Sequence, residues 1–253
     1  SGAPAIAYVE DADWNLLTPG TLIADADFGT GAPEPAIFGV NAFKTIAAAL
    51  AAITSGGQVI VNDGSYSTEN ITLSGTQTLT VTTLAAVTVG TLTSASGQIV
   101  QLNGTSLNIS GAGNSTLAGT LNGSGKLIKS GGGTLTLSVA NTHGGGTQLD
   151  VGVLDILNNG AVGSGTFTIN GGTIQSTSGT RDLSNAVVIG SDFAVGSTNS
   201  ITLASGNTNG IDLNGGTRAI TVTFSSMELF FDGVVSNGGL SKAGAGRLAL
   251  NRA

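Results

Sequence analysis

The sequence predicts an all-β protein folded as a parallel β-helix, and three observations support this fold class. A thirteen-residue phrase, GKLIKSGGGTLTL at 125–137, returns as GGLSKAGAGRLAL at 238–250. A shorter phrase, NGGT at 170–173, returns at 214–217. Apolar residues alternate with Thr, Ser or Asn in runs such as TLTVT, TLTLS and TFTIN. Repetition at a fixed offset is typical of solenoids, and alternation with period two is typical of strands.

Composition separates this chain from disordered linkers and from several classes of binding protein. Charged residues make up 9% of the 253 residues and hydrophobic residues 40%, whereas disorder requires the reverse balance. The net charge of −7 and the scattered basic residues disfavour nucleic acid and anionic membrane surfaces as partners. No run of about 18 apolar residues is present, so the sequence predicts no membrane insertion by this chain. The absence of cysteine excludes disulfides and thiolate metal sites.

Residues 1–57 are predicted to form an acidic N-terminal segment that caps the solenoid. All prolines lie at or before Pro35, so every later backbone N–H is free to join a ladder. The run NAFKTIAAALAAI at 41–53 has apolar residues at helical spacing and predicts one short helix that begins after Asn41. Its apolar stripe is expected to cover the first turn of the solenoid, because terminal repeats need caps.

Two Asp-Ala-Asp pairs in this segment form the candidate metal site. Asp11, Asp13, Asp25 and Asp27 carry the hard oxygen ligands that Ca²⁺ prefers. The chain lacks the Asp-x-Asp-x-Asp-Gly loop with its downstream Glu, so a solvated acidic loop is the alternative interpretation. No cofactor other than calcium is predicted.

Residues 58–253 are predicted to form the β-helix itself, from short strands separated by Gly, Asn and Ser. The offset between the two NGGT phrases equals two turns of about 22 residues, and the longer phrase then recurs after roughly five turns. An antiparallel sandwich is the alternative, but its hairpins would recur every 8–12 residues or so, and the Asn-Gly pairs here are irregularly spaced. The clearest predicted strands are 58–62, 70–74, 78–82, 98–103, 106–110, 134–138, 166–170, 186–189, 200–204, 219–224 and 247–251.

The repeated phrase and the residues after it resemble the autotransporter-associated β-strand repeat of bacterial surface proteins. The matching residues are Gly125, Leu127, Lys129, Gly131, Gly133, Leu135, Leu137, Asn141, Gly145, Thr147, Gly152 and Leu154, with His143 where an aromatic residue is common. The resemblance implies a right-handed parallel β-helix in an autotransporter passenger, outside the cell. Residues 38–75 separately resemble the capped start of pectate-lyase-like β-helices.

The residues that usually carry catalysis are sparse, and no enzyme activity is predicted. His143 is the only histidine and no Gly-x-Ser-x-Gly motif surrounds a serine, so a place in a turn between strands is expected for it. Lys129 and Lys242 hold the same position in the two phrases and are predicted to be exposed. A lyase or hydrolase would need a suitably spaced carboxylate pair or Ca²⁺-binding acids beside a base. Asp150 and Asp155 are close in sequence but are expected on opposite sides of a turn or strand.

The sequence therefore predicts a structural protein, a β-solenoid rod on the bacterial cell surface or in the extracellular space. The second phrase ends near Ala253, and Leu240, Leu248 and Leu250 are predicted to lie at an open end. An open end exposes strand edges, so it is expected to stack head to tail on a second copy, as in a filament, or on flanking parts of a longer surface protein. The alternatives are an adhesin or glycan-binding passenger, whose partner is a glycan or host surface, and a polysaccharide-degrading enzyme.

Overall fold

The architecture is that of a computed structural model, which describes residues 3–9, 18–23, 36–37, 39–40, 42–62, 64–82, 86–103, 106–206 and 209–252. Within these ranges the chain forms one short helix and a long series of strands. The helix α1 spans Ile46–Ala52, and the strands are β1 (Ile6–Val9), β2 (Leu22–Ile23), β3 (Ala36–Ile37), β4 (Ala42–Phe43), β5 (Gln58–Val61), β6 (Gly64–Thr72), β7 (Thr78–Val81), β8 (Val87–Ser94), β9 (Ile99–Leu102), β10 (Ser106–Ile109), β11 (Ser115–Leu117), β12 (Thr120–Gly123), β13 (Lys126–Lys129), β14 (Thr134–Leu137), β15 (Thr147–Leu149), β16 (Val153–Ile156), β17 (Phe167–Ile169), β18 (Thr173–Gln175), β19 (Arg181–Leu183), β20 (Val187–Ile189), β21 (Phe193–Val195), β22 (Ile201–Leu203), β23 (Ile211–Val222), β24 (Glu228–Phe231), β25 (Val235–Ala243) and β26 (Arg247–Leu250).

The strands stack in parallel, each on the strand one turn earlier, and this confirms the predicted parallel β-solenoid. The stacks form three faces, here called A, B and C in chain order. Face A holds β5, β7, β9 and β12 and, further along, β19, β22, β24 and β26. Face B holds β10, β13, β15, β17 and β20, and face C holds β11, β14, β16, β18 and β21. The long strands β6, β8, β23 and β25 continue from face B into face C.

Face A is irregular in its middle turns, where residues 138–146 and 158–166 lie between the strands of faces C and B. These stretches carry no strand, but their backbones still bond to the adjacent turn, as Thr142 N does to Leu121 O at 2.9 Å and Ser164 N to His143 O at 3.1 Å. The solenoid is therefore continuous through the region where its ladder is interrupted.

The turn length explains the shorter sequence repeat. Thr147 pairs with Phe167 and Phe167 pairs with Val187, so these two steps along the chain are equal. Val187 pairs with Ile211, and this step is four positions longer. The two NGGT phrases are separated by one turn of each length, which accounts for their offset. The predicted turn length is thus the mean of two lengths that differ.

The two copies of the thirteen-residue phrase are separated by five complete turns and one additional face. Lys129 lies on face B, in β13, whereas Lys242 lies on face C, where it pairs with Ile220. The second phrase therefore occupies faces C and A, while the first occupies B and C. The same phrase suits both places because each needs a strand, a tight corner and another strand.

The core consists of columns in which an inward side chain lies against its counterpart one turn away. One column on face B runs through Leu107, Leu127, Thr147, Phe167 and Val187, all buried. The residues between them, mostly Thr, Asn, Gln and Ser, point outward, as the alternation predicted. Continuous burial of apolar side chains along the axis is the main stabilising term of such a rod.

The helix begins later than predicted, and the prediction that it starts after Asn41 was wrong. Ala42 and Phe43 form β4, which pairs with β1, and Asn41 lies outside the described residues. Thr45 is the N-cap, and its side chain accepts a hydrogen bond from Ala48 N at 3.2 Å. Glu69 of β6 accepts from Ala47 N at 2.9 Å and satisfies a second free N–H of the first helical turn.

The helix covers one end of the core. Ile46, Ala49 and Leu50 are buried in the same hydrophobic cluster as the solenoid interior, and α1 contacts β1, β5 and β6. Strand β1 pairs in parallel with β5, so residues 6–9 of the predicted N-terminal segment join the same sheet as the first turn. No helix in the described ranges is long and apolar enough to cross a bilayer.

Candidate functional site

The polar residues of the first repeat phrase and its continuation lie inside the solenoid and form the candidate functional site. Lys129, His143 and Thr147 have no exposed surface, and Asn141 is 6% exposed. Most buried polar groups are hydrogen-bonded, because leaving one unpaired costs about 1–3 kcal/mol. The partners of these four side chains therefore show what the repeat does.

Lys129 is a core residue, and the prediction that it is exposed was wrong. Its register places it between Ile109 and Leu149, both fully buried, so its side chain points inward. The aliphatic stem fills the space of a core leucine, and Nζ donates a hydrogen bond to Gly131 O at the corner between faces B and C. Burial lowers the pKa of Lys129 below its usual 10.5.

Lys242 makes the equivalent bond in the second phrase, where Nζ donates to Gly244 O at 2.5 Å. It is exposed, as predicted, but for a different reason. It pairs with Ile220, which is buried, and it lies in the last described turn, so no other described turn covers it. The shared Lys-x-Gly spacing thus closes the same corner in both phrases, with the lysine two positions before the acceptor.

The glycines of the phrase mark the place where consecutive turns approach most closely. A Cβ on Gly131 would lie 2.0 Å from Gly111 O, and one on Gly133 would lie 2.2 Å from Gly113 O. Gly132, between them, has open space around its Cβ position and is exposed. Only the first and third glycines of the Gly-Gly-Gly run are therefore required by packing.

Asn141 joins three turns of the solenoid where face A lacks strands. Its Oδ1 accepts from Leu121 N in the preceding turn at 2.8 Å, and its Nδ2 donates to Ala161 O in the following turn at 2.7 Å. The side chain thus replaces the missing ladder bonds. The signal for this role was its place in the repeat pattern, but composition and spacing do not reveal the two partners.

His143 is sealed between turns and is not placed for catalysis. Its Nε2 lies 3.0 Å from Thr147 Oγ1, which donates its single hydrogen to Val162 O at 3.0 Å. The imidazole therefore carries its proton on Nε2, and Nδ1 has no partner among the described residues. Burial lowers the pKa of His143 from 6.5 to about 4. It lies between β14 and β15, as expected of a turn residue, but without exposure.

This burial makes the stability of the solenoid sensitive to acid. The unfolded chain takes up a proton on His143 below pH 6.5 and the folded chain only near pH 4, so stability falls as the pH drops through this window. We expect a loss of about 2 kcal/mol between pH 8 and pH 5 that is absent in His143→Gln. Because the chain has one histidine, its ring proton signal reports this pKa directly by NMR. The prediction would be contradicted if the stability of both proteins fell equally with pH, or if the His143 ring of the folded chain titrated near pH 6.5.

The predicted metal ligands Asp11, Asp13, Asp25 and Asp27 lie outside the described residues, and calcium binding there stays a prediction. Within the ranges that the structure describes, no group of three or more His, Cys, Asp or Glu residues is placed to hold a metal ion.

The carboxylates near the repeat each bind a neighbouring turn. Asp155 lies within β16 and accepts from Thr177 N and Oγ1, at 3.0 and 2.7 Å. Asp150 follows β15 and accepts from Asn170 Nδ2 at 2.9 Å and from Gln148 Nε2 at 2.9 Å. These two acids therefore have separate partners, and Asp155 is buried whereas Asp150 is half-buried.

The predicted end residues lie in the last described turn. Leu240 and Leu248 are half-buried and pack against the core, while Leu250 is 49% exposed. Strand β26 pairs with β24, and its other edge has no strand partner among the described residues.

Comparisons with known proteins agree with this geometry. The family model described as Passenger-associated-transport-repeat matches residues 127–156. The Adhesin BmaC autotransporter of Brucella suis biovar 1 (strain 1330) is 34% identical over 111 residues, which is 42% of this chain and 3% of that protein. No solved structure matches the chain significantly.

The matched segment coincides with the buried polar residues and the corner glycines. The chain spans only a small part of the length of the relative, so the likeness concerns a local architecture. The resemblance to autotransporter repeats is confirmed for residues 127–156, which match the passenger-associated transport repeat and lie within a parallel β-solenoid.

Proposed function

We propose that this chain is a non-enzymatic structural segment of a surface-exposed passenger, a rod that holds other parts of a protein away from the cell. The observation that carries this proposal is that the buried polar side chains of the repeat bond to the main chain of the solenoid itself. Lys129, Asn141 and Thr147 all bond to main-chain carbonyls of their own or an adjacent turn. A site for chemistry would instead present such groups to solvent in a cleft.

The non-enzymatic role is tested by incubating the purified chain with acidic polysaccharides in the presence of Ca²⁺. Lyase action raises the ultraviolet absorbance, and hydrolysis raises the reducing-end concentration. We expect neither signal to exceed that of the heat-denatured chain. A rate that saturates with substrate would overturn the proposal and favour the polysaccharide-degrading alternative.

Adhesion is the second candidate, and the similarity to an autotransporter adhesin favours it. In that case the exterior of the rod, or a site on it, binds a glycan or a host surface. Beads coated with the chain would then attach to host cells more than beads coated with bovine serum albumin. Equal attachment of both kinds of bead would remove this candidate.

We also propose that the edge formed by β25 and β26 stacks on a further β-turn. Leu240 and Leu248 are covered by the core on one side only, and Leu250 is half exposed. Unpaired edges of this kind invite the addition of strands. The next turn comes either from a second copy, which gives a filament, or from the flanking part of a longer chain. The large size of the similar adhesin supports the second source.

Leu250→Asp is expected to abolish end-to-end association of the purified chain, because it places a charge on the stacking edge. The matched control is Val151→Asp, since Val151 is 51% exposed and lies in a middle turn. Negative-stain electron microscopy and analytical ultracentrifugation distinguish long filaments from separate rods. The nine described strands of face B are separated by eight spacings of about 4.8 Å, so a single rod extends at least about 38 Å along its axis. Separate rods of unaltered protein would contradict stacking between copies.

A further inference from the structure

An uncharged groove lies on the outer surface where face C turns into face A, away from the repeat. It is about 270 Å³ in volume and is lined by Ser176, Thr177, Gly196, Ser197, Thr198, Asn199 and Phe224. These residues come from three consecutive turns, after β18, β21 and β23. No Asp, Glu, Lys or Arg of the described residues lines the groove.

Phe224 forms the apolar wall of this groove and is unusually exposed for an aromatic residue of this chain. It is 43% exposed, whereas the other phenylalanines of the described part are buried or half-buried. Its backbone is held in a turn, because Phe224 O accepts from Met227 N at 2.9 Å. The exposed ring offers an apolar face on which a ligand can stack.

The polar lining divides into groups that hold the wall and groups that remain available. Ser176 Oγ donates to Gly179 O, and Ser197 Oγ donates to Asn199 O. Asn199 Nδ2 donates to Ser176 O at 2.8 Å, which fixes its amide plane. Its Oδ1 and the Thr198 hydroxyl have no protein partner among the described residues, so both are free to bond to a ligand.

We propose that this groove binds one ring of an uncharged sugar, and the proposal rests on the adhesive candidate function. A sugar ring has an apolar face of C–H groups that stacks on an aromatic ring, and hydroxyls that bond to amide and hydroxyl groups. The volume is just below that of pockets for drug-sized ligands, which suits a single ring. The absence of basic side chains from the described lining disfavours uronic and sialic acids.

The binding test uses saturation-transfer NMR on the full chain with methyl glycosides of glucose, galactose, mannose and N-acetylglucosamine, and with glucuronic acid. We expect transfer to at least one neutral glycoside and none to the acid. Phe224→Ala should weaken binding at least tenfold and Thr198→Val several-fold. Val234→Ala is the control, because Val234 is 52% exposed and lies outside the groove lining. Absent binding, a preference for the acid or unchanged binding in Phe224→Ala would overturn the proposal.

Attachment assays separate the failure of this groove from the failure of the adhesive function. Equal attachment of beads carrying the unaltered chain and Phe224→Ala would overturn the groove as the adhesive contact and leave adhesion standing. Sugar binding that Phe224→Ala abolishes, without attachment to cells, would support the groove and remove the adhesive role. Attachment sensitive to protease treatment of the host cells but not to glycosidases would identify a peptide partner and overturn the sugar proposal.

Discussion

Gly131→Ala is expected to destabilise the middle of the solenoid by about 3 kcal/mol or more. The added Cβ would lie 2.0 Å from Gly111 O, and this oxygen belongs to the backbone of the adjacent turn. No rotamer change relieves such an overlap, so the two turns must separate. Their separation weakens the ladder between β10 and β13, which pair just before this corner.

Gly132→Ala is the matched control, one residue away in the same corner. Its Cβ position is open and the residue is exposed, so we expect unchanged stability or a gain of up to about 1 kcal/mol from the stiffer unfolded chain. Urea denaturation followed by circular dichroism gives the difference in free energy of unfolding. Hydrogen exchange shows whether protection is lost first in β10 and β13. Equal stability of the two variants would contradict the close-approach explanation.

Lys129→Ala is expected to be about 3 kcal/mol less stable than Lys129→Met, because both variants lose the ammonium group but only alanine removes the fully buried stem and leaves a cavity. Lys129→Met keeps most of the stem without the ammonium group. The Gly131 carbonyl then loses a donor, which costs about 1–3 kcal/mol, while the desolvation of the charge, several kcal/mol or so, is relieved. We therefore expect Lys129→Met to be at least as stable as the unaltered chain.

The pH dependence of the stabilities of the unaltered chain and Lys129→Met gives a second measurement. Burial holds the pKa of Lys129 below 10.5, so the folded chain binds this proton more weakly than the unfolded chain. The contribution of Lys129 to stability is therefore largest above pH 10.5, where its amine is neutral in both the folded and the unfolded chain. This contribution is lost as the pH falls from 10.5 through the pKa of Lys129 in the folded chain. The advantage of Lys129→Met should accordingly shrink as the pH is raised from 7 towards 10.5. A large loss of stability in Lys129→Met at pH 7 would show that the ammonium group itself stabilises the fold.

Much of the fold was predictable because its signals are local. Alternating apolar and hydroxyl residues indicate a strand wherever they occur, and β7, β14 and β17 lie within one residue of the predicted bounds. The helix start was harder to predict, because Ala42 and Phe43 have helical spacing but pair with β1 instead. That pairing depends on a strand more than thirty residues away and leaves no local trace.

The repeat pattern marked the residues of the candidate site, but the sequence predicted neither a site among them nor their burial. The pattern singled out Lys129, Asn141, His143 and Thr147, and all four proved to be buried polar residues of the repeat. Charge and polarity favour the surface in general, so Lys129 was expected there. The groove at Phe224 was not predicted, because its lining residues lie in three consecutive turns and are not adjacent in the sequence.

By itself, the sequence determined the class of this protein: a repeating, charge-poor chain whose inward apolar residues and outward hydroxyls build a parallel solenoid. It also marked the corners, since glycine and lysine recur there at fixed spacing. Only the tertiary structure decided which turn lies against which, and so which side chains are buried. The stacking of the turns places Lys129 inside, Lys242 at an edge and Phe224 beside a groove. The burial of a side chain depends on which turns lie beside it, and local sequence patterns do not specify these turns.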